Sequence, residues 1–211
     1  MSLNPTKALI FRIVHVQNLP WILEHGLHCA NSDEQDPNYV SIGNASLIDK
    51  RARRTVPILP KGTLSDYVAF YFTPFSIMLY NIKTGYGGIT RRENREIAIV
   101  VSSIHRLLEL GLTFIFTNQH AYAVDTDFYD CVDDLTQVDW PLLQSRDFKT
   151  SDADPGKQLR YQAEALVHRH VPLAAILGIG CLNDTVKQDL DRRLNVDRER
   201  IAIKSTPQWF F

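Results

Sequence analysis

Short apolar runs alternate along this chain with polar stretches that carry glycine and proline. The runs at 8–16 (ALIFRIVHV), 67–72 (YVAFYF), 97–102 (IAIVVS) and 114–117 (FIFT) are rich in β-branched and aromatic residues and predict strands. Further strands are expected at 163–170, 175–181 and 201–204. Between them the pattern predicts helices. At 18–26, Asn18 stands as an N-cap, Pro20 lies in the first turn and Gly26 is the stop. At 44–54 (NASLIDKRARR) the helix ends in a cationic run, where its dipole favours positive charge. Residues 103–110 read as a helix closed by Gly111, 128–140 as helical with acids on one side, and 183–194 as a capped amphipathic helix. Residues 31–41 and 145–160 carry loop chemistry. Strands crowd together late in the chain without regular strand–helix–strand winding, so the expected class is α+β.

Composition narrows the function classes. A chain of 211 residues with 45% hydrophobic content is expected to fold as one domain over residues 1–211. Three Trp, eight Tyr and ten Phe exclude a disordered chain. No apolar run reaches the roughly 20 residues of a membrane helix, and the opening MSLNPTKALIF lacks a secretory pattern. Cys29, Cys131 and Cys181 are odd in number and far apart, so they read as reduced thiols in a cytoplasmic protein. A net charge of -1 excludes a uniformly basic nucleic-acid coat and leaves room for a local basic patch.

Several site types are missing from the sequence. It has no phosphate-binding P-loop, no GxGxxG, no HExxH and no Cys/His set with zinc spacing. His168 and His170 would share one face of a strand, and paired surface histidines are favoured there over a metal site. Cys131 sits in an acidic stretch that disfavours a thiolate. What remains is scattered: the basic run Lys50-Arg51-Ala-Arg53-Arg54, the aromatic strand after Asp66, and Gln162-Ala-Glu164-Ala-Leu-Val at the end of a polar loop. Each piece alone reads as a solvated helix end, a core strand and an exposed carboxylate at a strand edge. The run 91–96 (RRENRE) alternates acids with bases and reads first as a solvated loop, with Arg91, Arg92 and Arg95 as alternative phosphate contacts.

Taken in order, the pieces resemble a family. The segments are Ile13-Val-His15-Val-Gln-Asn18-Leu-Pro-Trp-Ile-Leu, Arg51-Ala-Arg-Arg-Thr-Val-Pro57, Gly62-Thr-Leu-Ser-Asp-Tyr-Val-Ala-Phe-Tyr71-Phe and Met78-Leu-Tyr80. They continue with Gly111-Leu-Thr-Phe-Ile-Phe-Thr-Asn-Gln-His120, Asp139-Trp140 and Gln162-Ala-Glu164-Ala-Leu-Val167. Together they resemble the DarT family, DNA ADP-ribosyltransferase toxins of bacterial toxin–antitoxin pairs.

The resemblance implies an ADP-ribosyltransferase-like split antiparallel sheet with surrounding helices, clasping NAD. It implies NAD as ADP-ribose donor with no metal, and a base in single-stranded DNA, most often thymine, as sequence-specific acceptor. The reaction class is then glycosyl transfer, with nucleotidyl transfer alongside. Glu164 and Arg51 stand at the catalytic positions. Arg12, His15, Asn18, Arg51 and Tyr71 fall where NAD is held, with Arg12 replacing a histidine of some relatives. The loop 145–162 helps recognise the target. Arg53, Arg54 and Lys61 are candidate phosphate contacts, and Tyr67 and His120 candidate stacking partners for unpaired bases. A macrodomain antitoxin is the expected partner. The alternatives are a non-catalytic nucleic-acid-binding domain and a transferase acting on guanine, RNA or protein.

Overall fold

The computed structural model describes residues 3–194 and 201–211. The chain opens on strand β1 (Leu9–His15), whose buried side chains include Ile10 and Phe11. Helix α1 (Leu19–His25) follows with Pro20 in its first turn and Gly26 at its end. Gly26 has φ +81, and a Cβ there would stand 2.4 Å from the Val171 carbonyl oxygen, so only glycine fits. Strand β2 (Leu27–His28) and helix α2 (Ala45–Arg51) come next, with the Asn44 side chain accepting the Leu47 N–H at 3.1 Å. The helix stops at Arg51, earlier than its cationic run suggested. Arg53 and Arg54 instead close tight turns onto the carbonyls of Lys50 and Arg51, and Thr55 leaves to bridge Thr63.

Strand β3 (Tyr67–Tyr71) leads to helix α3 (Ile77–Thr84), capped by Ser76 and ended by left-handed Gly85. Strand β4 (Ile97–Ser103) is buried, and Ser103 caps helix α4 (Ile104–Glu109). Strand β5 (Phe114–Thr117) is buried throughout. The helix expected at 128–140 is confined to a 3-10 helix at Val132–Gln137. Phe128 and Tyr129 make strand β6 (Phe128–Tyr129), paired with β5 so that Tyr129 stacks on Phe116 with 5.4 Å between rings. Helix α5 (Trp140–Ser145) starts only where Asp139 caps it, after tight turns at Val132–Gln137.

The polar 145–160 stretch is irregular until α6 (Lys157–Arg160). The strand expected at 163–170 divides into β7 (Glu164–His168) and β8 (His170–Val171), because Arg169 between them has φ +64. His168 and His170 therefore do not share a strand face. His168 lies against Tyr67, and His170 lies 4.3 Å from the His28 ring. Strand β9 (Gly178–Cys181), helix α7 (Asp184–Leu194) and strand β10 (Ile203–Ser205) complete the order.

Eight strands form one sheet in the order β10-β9-β4-β1-β3-β7-β5-β6, antiparallel except for β10 beside β9. The mixed, mostly antiparallel class is as expected. β1 pairs with β4 along all seven residues, but it meets β3 only at Phe11↔Tyr71. The sheet therefore parts between β1 and β3. Arg12 spans the parting, its Nη1 donating to the Ala69 carbonyl at 2.8 Å.

Asp66 gathers three segments near this parting. Its carboxylate accepts from the Thr63 backbone at 2.8 Å, from Asn31 at 3.0 Å and from Arg169 at 3.1 Å. Burial works against the ionised form, but these donors and the Arg169 charge outweigh it, so the carboxyl stays below its ordinary range. A carboxylate with a lowered folded-state pKa lends stability above the unfolded value near 4 and loses it as pH falls further. Replacing Asp66 with Asn is expected to cost about 1–3 kcal/mol at pH 7. In urea melts the gap to the parent should close as pH drops below about 4, and a gap independent of pH would contradict this account.

Candidate active site

A cleft of about 400 Å³ follows the line where β1 and β3 separate. Its walls come from β1 (Arg12, Ile13), β3 (Tyr67, Ala69, Tyr71), the 28–43 segment and α2, with Glu164 and His120 at the wall beside β7. Glu164 opens β7 opposite Tyr71 in the sheet register, and its side chain is 2% exposed. It is not the solvated edge carboxylate that the strand pattern suggested.

A buried carboxylate needs partners, and Glu164 has several. Arg51 Nη1 lies 3.1 Å from Oε1 and 2.9 Å from Oε2. The Ala121 N–H donates to Oε1 at 3.0 Å. Thr117 fixes the strand end, its hydroxyl accepting the Glu164 N–H at 3.1 Å and donating to the Gln119 carbonyl at 2.6 Å. One guanidinium nitrogen thus serves both carboxylate oxygens. The other, Nη2 of Arg51, is shielded from solvent without a hydrogen-bond partner, as is Nε of Arg12. Two cationic side chains of the cleft wall therefore keep unused donors.

Seven of the expected site residues, Arg12, Asn18, Arg51, Tyr67, Tyr71, His120 and Glu164, line this cleft. The Tyr71 hydroxyl lies 3.7 Å from the Met78 sulfur, and burial beside the Glu164 carboxylate pushes its pKa up. His120 Nδ1 accepts the Tyr122 N–H at 3.1 Å and lies 3.8 Å from Glu164 Oε1. Burial lowers its pKa against the pull of Glu164, so the ring is neutral at pH 7 with its proton on Nε2. It stands beside the carboxylate rather than on an outer face. Asn18 is fully buried and clasps Val40 from both sides, accepting its N–H at 2.8 Å and donating to its carbonyl at 3.0 Å. That pair holds the outer wall.

Other expected residues lie elsewhere. The His15 side chain is not on the cleft wall; its Nδ1 accepts the Gln17 N–H at 3.2 Å and its Nε2 faces Glu96 at 3.6 Å. Tyr67 borders the cleft, yet its ring is packed in the core with its hydroxyl on the Lys61 carbonyl at 2.6 Å. Arg54 is engaged with the Ala123 carbonyl at 2.9 Å. Arg53 extends into solvent beside Asp49, and Lys61 is exposed. Arg92 and Arg95 lie within reach of Glu96 and Glu93. Cleft residues that the sequence reading missed include Trp21, His28 and Gln35; only Trp21 carried a signal, lying inside a segment of the family pattern. Among the described residues no three His, Cys, Asp or Glu side chains form a metal-binding group.

The family model described as "ssDNA thymidine ADP-ribosyltransferase, DarT" matches residues 11–211. The chain belongs to the DarT family. A DNA ADP-ribosyl transferase of Escherichia coli O127:H6 is 49% identical over 100% of this chain and 96% of its own length. Thermus sp. 2.9 DarT in complex with ADP-ribosylated ssDNA superposes with TM-score 0.89 at 31% identity, over 98% of each chain. The same Thermus DarT in complex with carba-NAD+ gives 0.82 at 30% identity, over 99% of this chain and 100% of the other. This DarT chain is a DNA ADP-ribosyltransferase. ADP-ribosyl transfer exchanges a glycosidic bond, so the nucleotidyl class expected alongside it falls away.

Because Glu164 is buried against Arg51, removing it strands a cation. Glu164→Ala should lower stability by about 1–3 kcal/mol, at the low end for a buried pair because the rest of the Arg51 side chain keeps 15% exposure. That corresponds to a Tm drop of roughly 2–12 °C for a chain this size. Glu164→Gln, which keeps the shape and one acceptor, should melt closer to the parent, and an unchanged Tm for the alanine variant would contradict the buried pairing.

Proposed function

We propose that this chain, acting as one domain, transfers ADP-ribose from NAD to thymine in a preferred sequence of single-stranded DNA. In the same reading it is the toxin of a toxin–antitoxin pair, countered by a macrodomain protein, and it works in the cytoplasm. The observation that carries the reading is the Arg51–Glu164 pair at the parting of the sheet, with a shielded Arg51 nitrogen left free. The pairing of this chain's relatives with NAD analogues and modified single-stranded DNA in solved structures supports it.

The chemistry asks little more of the protein. The bond from ribose to nicotinamide breaks through an oxocarbenium-like transition state, and nicotinamide leaves neutral. The Glu164 carboxylate stabilises the positive charge growing on the ribose. A thymine ring nitrogen then bonds to the ribose carbon as its proton passes to Glu164, a step worth ~10²–10⁴ in rate. Arg51 supplies its second nitrogen to a phosphate or a base carbonyl while Nη1 holds Glu164 in place. Arg12 and Tyr71 line the NAD end, and Asn18 holds the wall across from them. Arg53 and Lys61, both exposed, are the phosphate contacts of this patch. Buried, unpaired Cys29 and Cys181 suit a reducing compartment. A non-catalytic binding domain would have no use for so tightly held a carboxylate.

The test incubates labelled NAD with one thymine-containing sequence, as single strand and as duplex, beside RNA and protein. Label should enter the single strand, since a paired base costs a few kcal/mol to extract. Equal labelling of duplex, or labelling of guanine, RNA or protein instead, would overturn the substrate. No transfer at all would favour the non-catalytic reading. In the same assay Arg51→Lys should lose most activity, because an ammonium cannot serve Glu164 and a ligand in the planar geometry of a guanidinium. Full activity in that variant would reduce Arg51 to a local charge.

A further inference from the structure

Outside the cleft, one exposed aromatic side chain has no structural use. Tyr86 is 70% exposed and follows α3 in the sequence Thr84-Gly-Tyr-Gly-Gly88. Its ring touches no other ring, and its hydroxyl has no hydrogen bond among the described residues. Gly85, Gly87 and Gly88 around it have φ of +77, +68 and +76, which fixes a turn that few other residues could adopt. A Cβ on Gly88 would meet nothing within 4 Å, so the turn also presents bare backbone.

The turn is fixed to the active site. Asn44 Nδ2 donates to the Gly87 carbonyl at 3.4 Å, while its Oδ1 caps the helix that ends in Arg51. Asn44 itself lines the cleft, as do Leu47 and Ile48 one turn further along that helix. On the other side Arg91 packs beside Gly85, its Cβ 3.6 Å from where a Gly85 Cβ would stand. Arg91 is exposed and, unlike Arg92 and Arg95, has no ion-pair partner among the described residues. An unburied ring and an unpaired arginine on one turn, tied through Asn44 to the wall of a cleft that takes a nucleotide, are the groups by which proteins hold unpaired strands.

We propose that Tyr86 is a stacking platform for a base neighbouring the target nucleotide, with Arg91 on the adjoining phosphate, so that the 84–91 turn carries the DNA strand out of the cleft. The proposal rests on single-stranded DNA being the acceptor. The stacked base is recognised by its π-face, so the platform serves affinity for the strand and not the identity of the modified base. Chemistry at Glu164 is untouched by it.

The experiment measures KM and kcat for a single-stranded oligonucleotide, and KM for NAD, in Tyr86→Ala, Tyr86→Trp, Tyr86→Phe and Arg91→Ala. Tyr86→Ala should raise the oligonucleotide KM roughly 5- to 150-fold, the range that loss of one stacked base spans, with kcat and the NAD KM unchanged. The Trp and Phe variants should keep the parent KM, because only the ring face is used. Arg91→Ala should lower the slope of log affinity against log salt by about 0.7. An unchanged KM in Tyr86→Ala, an equal loss in the Trp and Phe variants, or a rise in the NAD KM instead would overturn the proposal. Failure of the single-strand reading itself shows separately, as a parent enzyme that leaves the oligonucleotide unlabelled, and it would take this proposal with it.

Discussion

The structure depends on two neighbouring strands that barely touch. β1 keeps full pairing with β4 and β3 keeps full pairing with β7, yet the two share one registered position, Phe11↔Tyr71. A strand edge left open exposes backbone donors and acceptors that must be satisfied some other way. Here a side chain does part of that work, as Arg12 reaches across to the Ala69 carbonyl. Everything that lines the cleft hangs from this gap, and a sheet closed at this line would have no room for a ligand.

Around the gap, polar side chains tie segments distant in sequence to one another. Thr117 pins the start of β7, Asn18 pins the far wall through Val40, and Asp66 ties the 31, 63 and 169 segments together. Glu164 is held in the same way, its main partner coming from a helix on the other wall. That arrangement suits the part proposed for Glu164 opposite a growing positive charge, because its orientation is already set before the charge appears.

Much of this was legible in the sequence, for reasons that differ by element. β5 and β4 were visible because continuous β-branched and aromatic runs suit strands buried on both faces. α1 was visible through Pro20 and Gly26, whose backbone constraints act locally. The 128–140 reading failed at its start, where the choice was made by Phe116, an aromatic partner thirteen residues before the Tyr129 it stacks on. α3 went unread although Ser76 and Gly85 bracket it, since its apolar residues resemble a strand run when their period is not counted. The break at Arg169 left no signal, because a non-glycine residue with positive φ is stabilised there by Asp66, far away in sequence. For the site, Glu164, Arg51 and Tyr71 came from resemblance in their order along the chain; nothing local in the residues announces that a helix end and a strand start will meet. Their burial was beyond the pattern for the same reason.

That meeting also sets a clock. Arg51 and Glu164 are 113 residues apart, and β3 pairs with β7, a strand made much later in synthesis. Non-local strand pairing of this kind forms late, because the loop between partners must exist before the contact can repay its closure. Until β7 is made, Arg51 has no counter-charge from Glu164 and β3 lacks its fully paired neighbour. A product that stops before β7 therefore carries Arg51 without the carboxylate it pairs with, and the pair proposed above for catalysis arrives as one step when β7 docks beside β3.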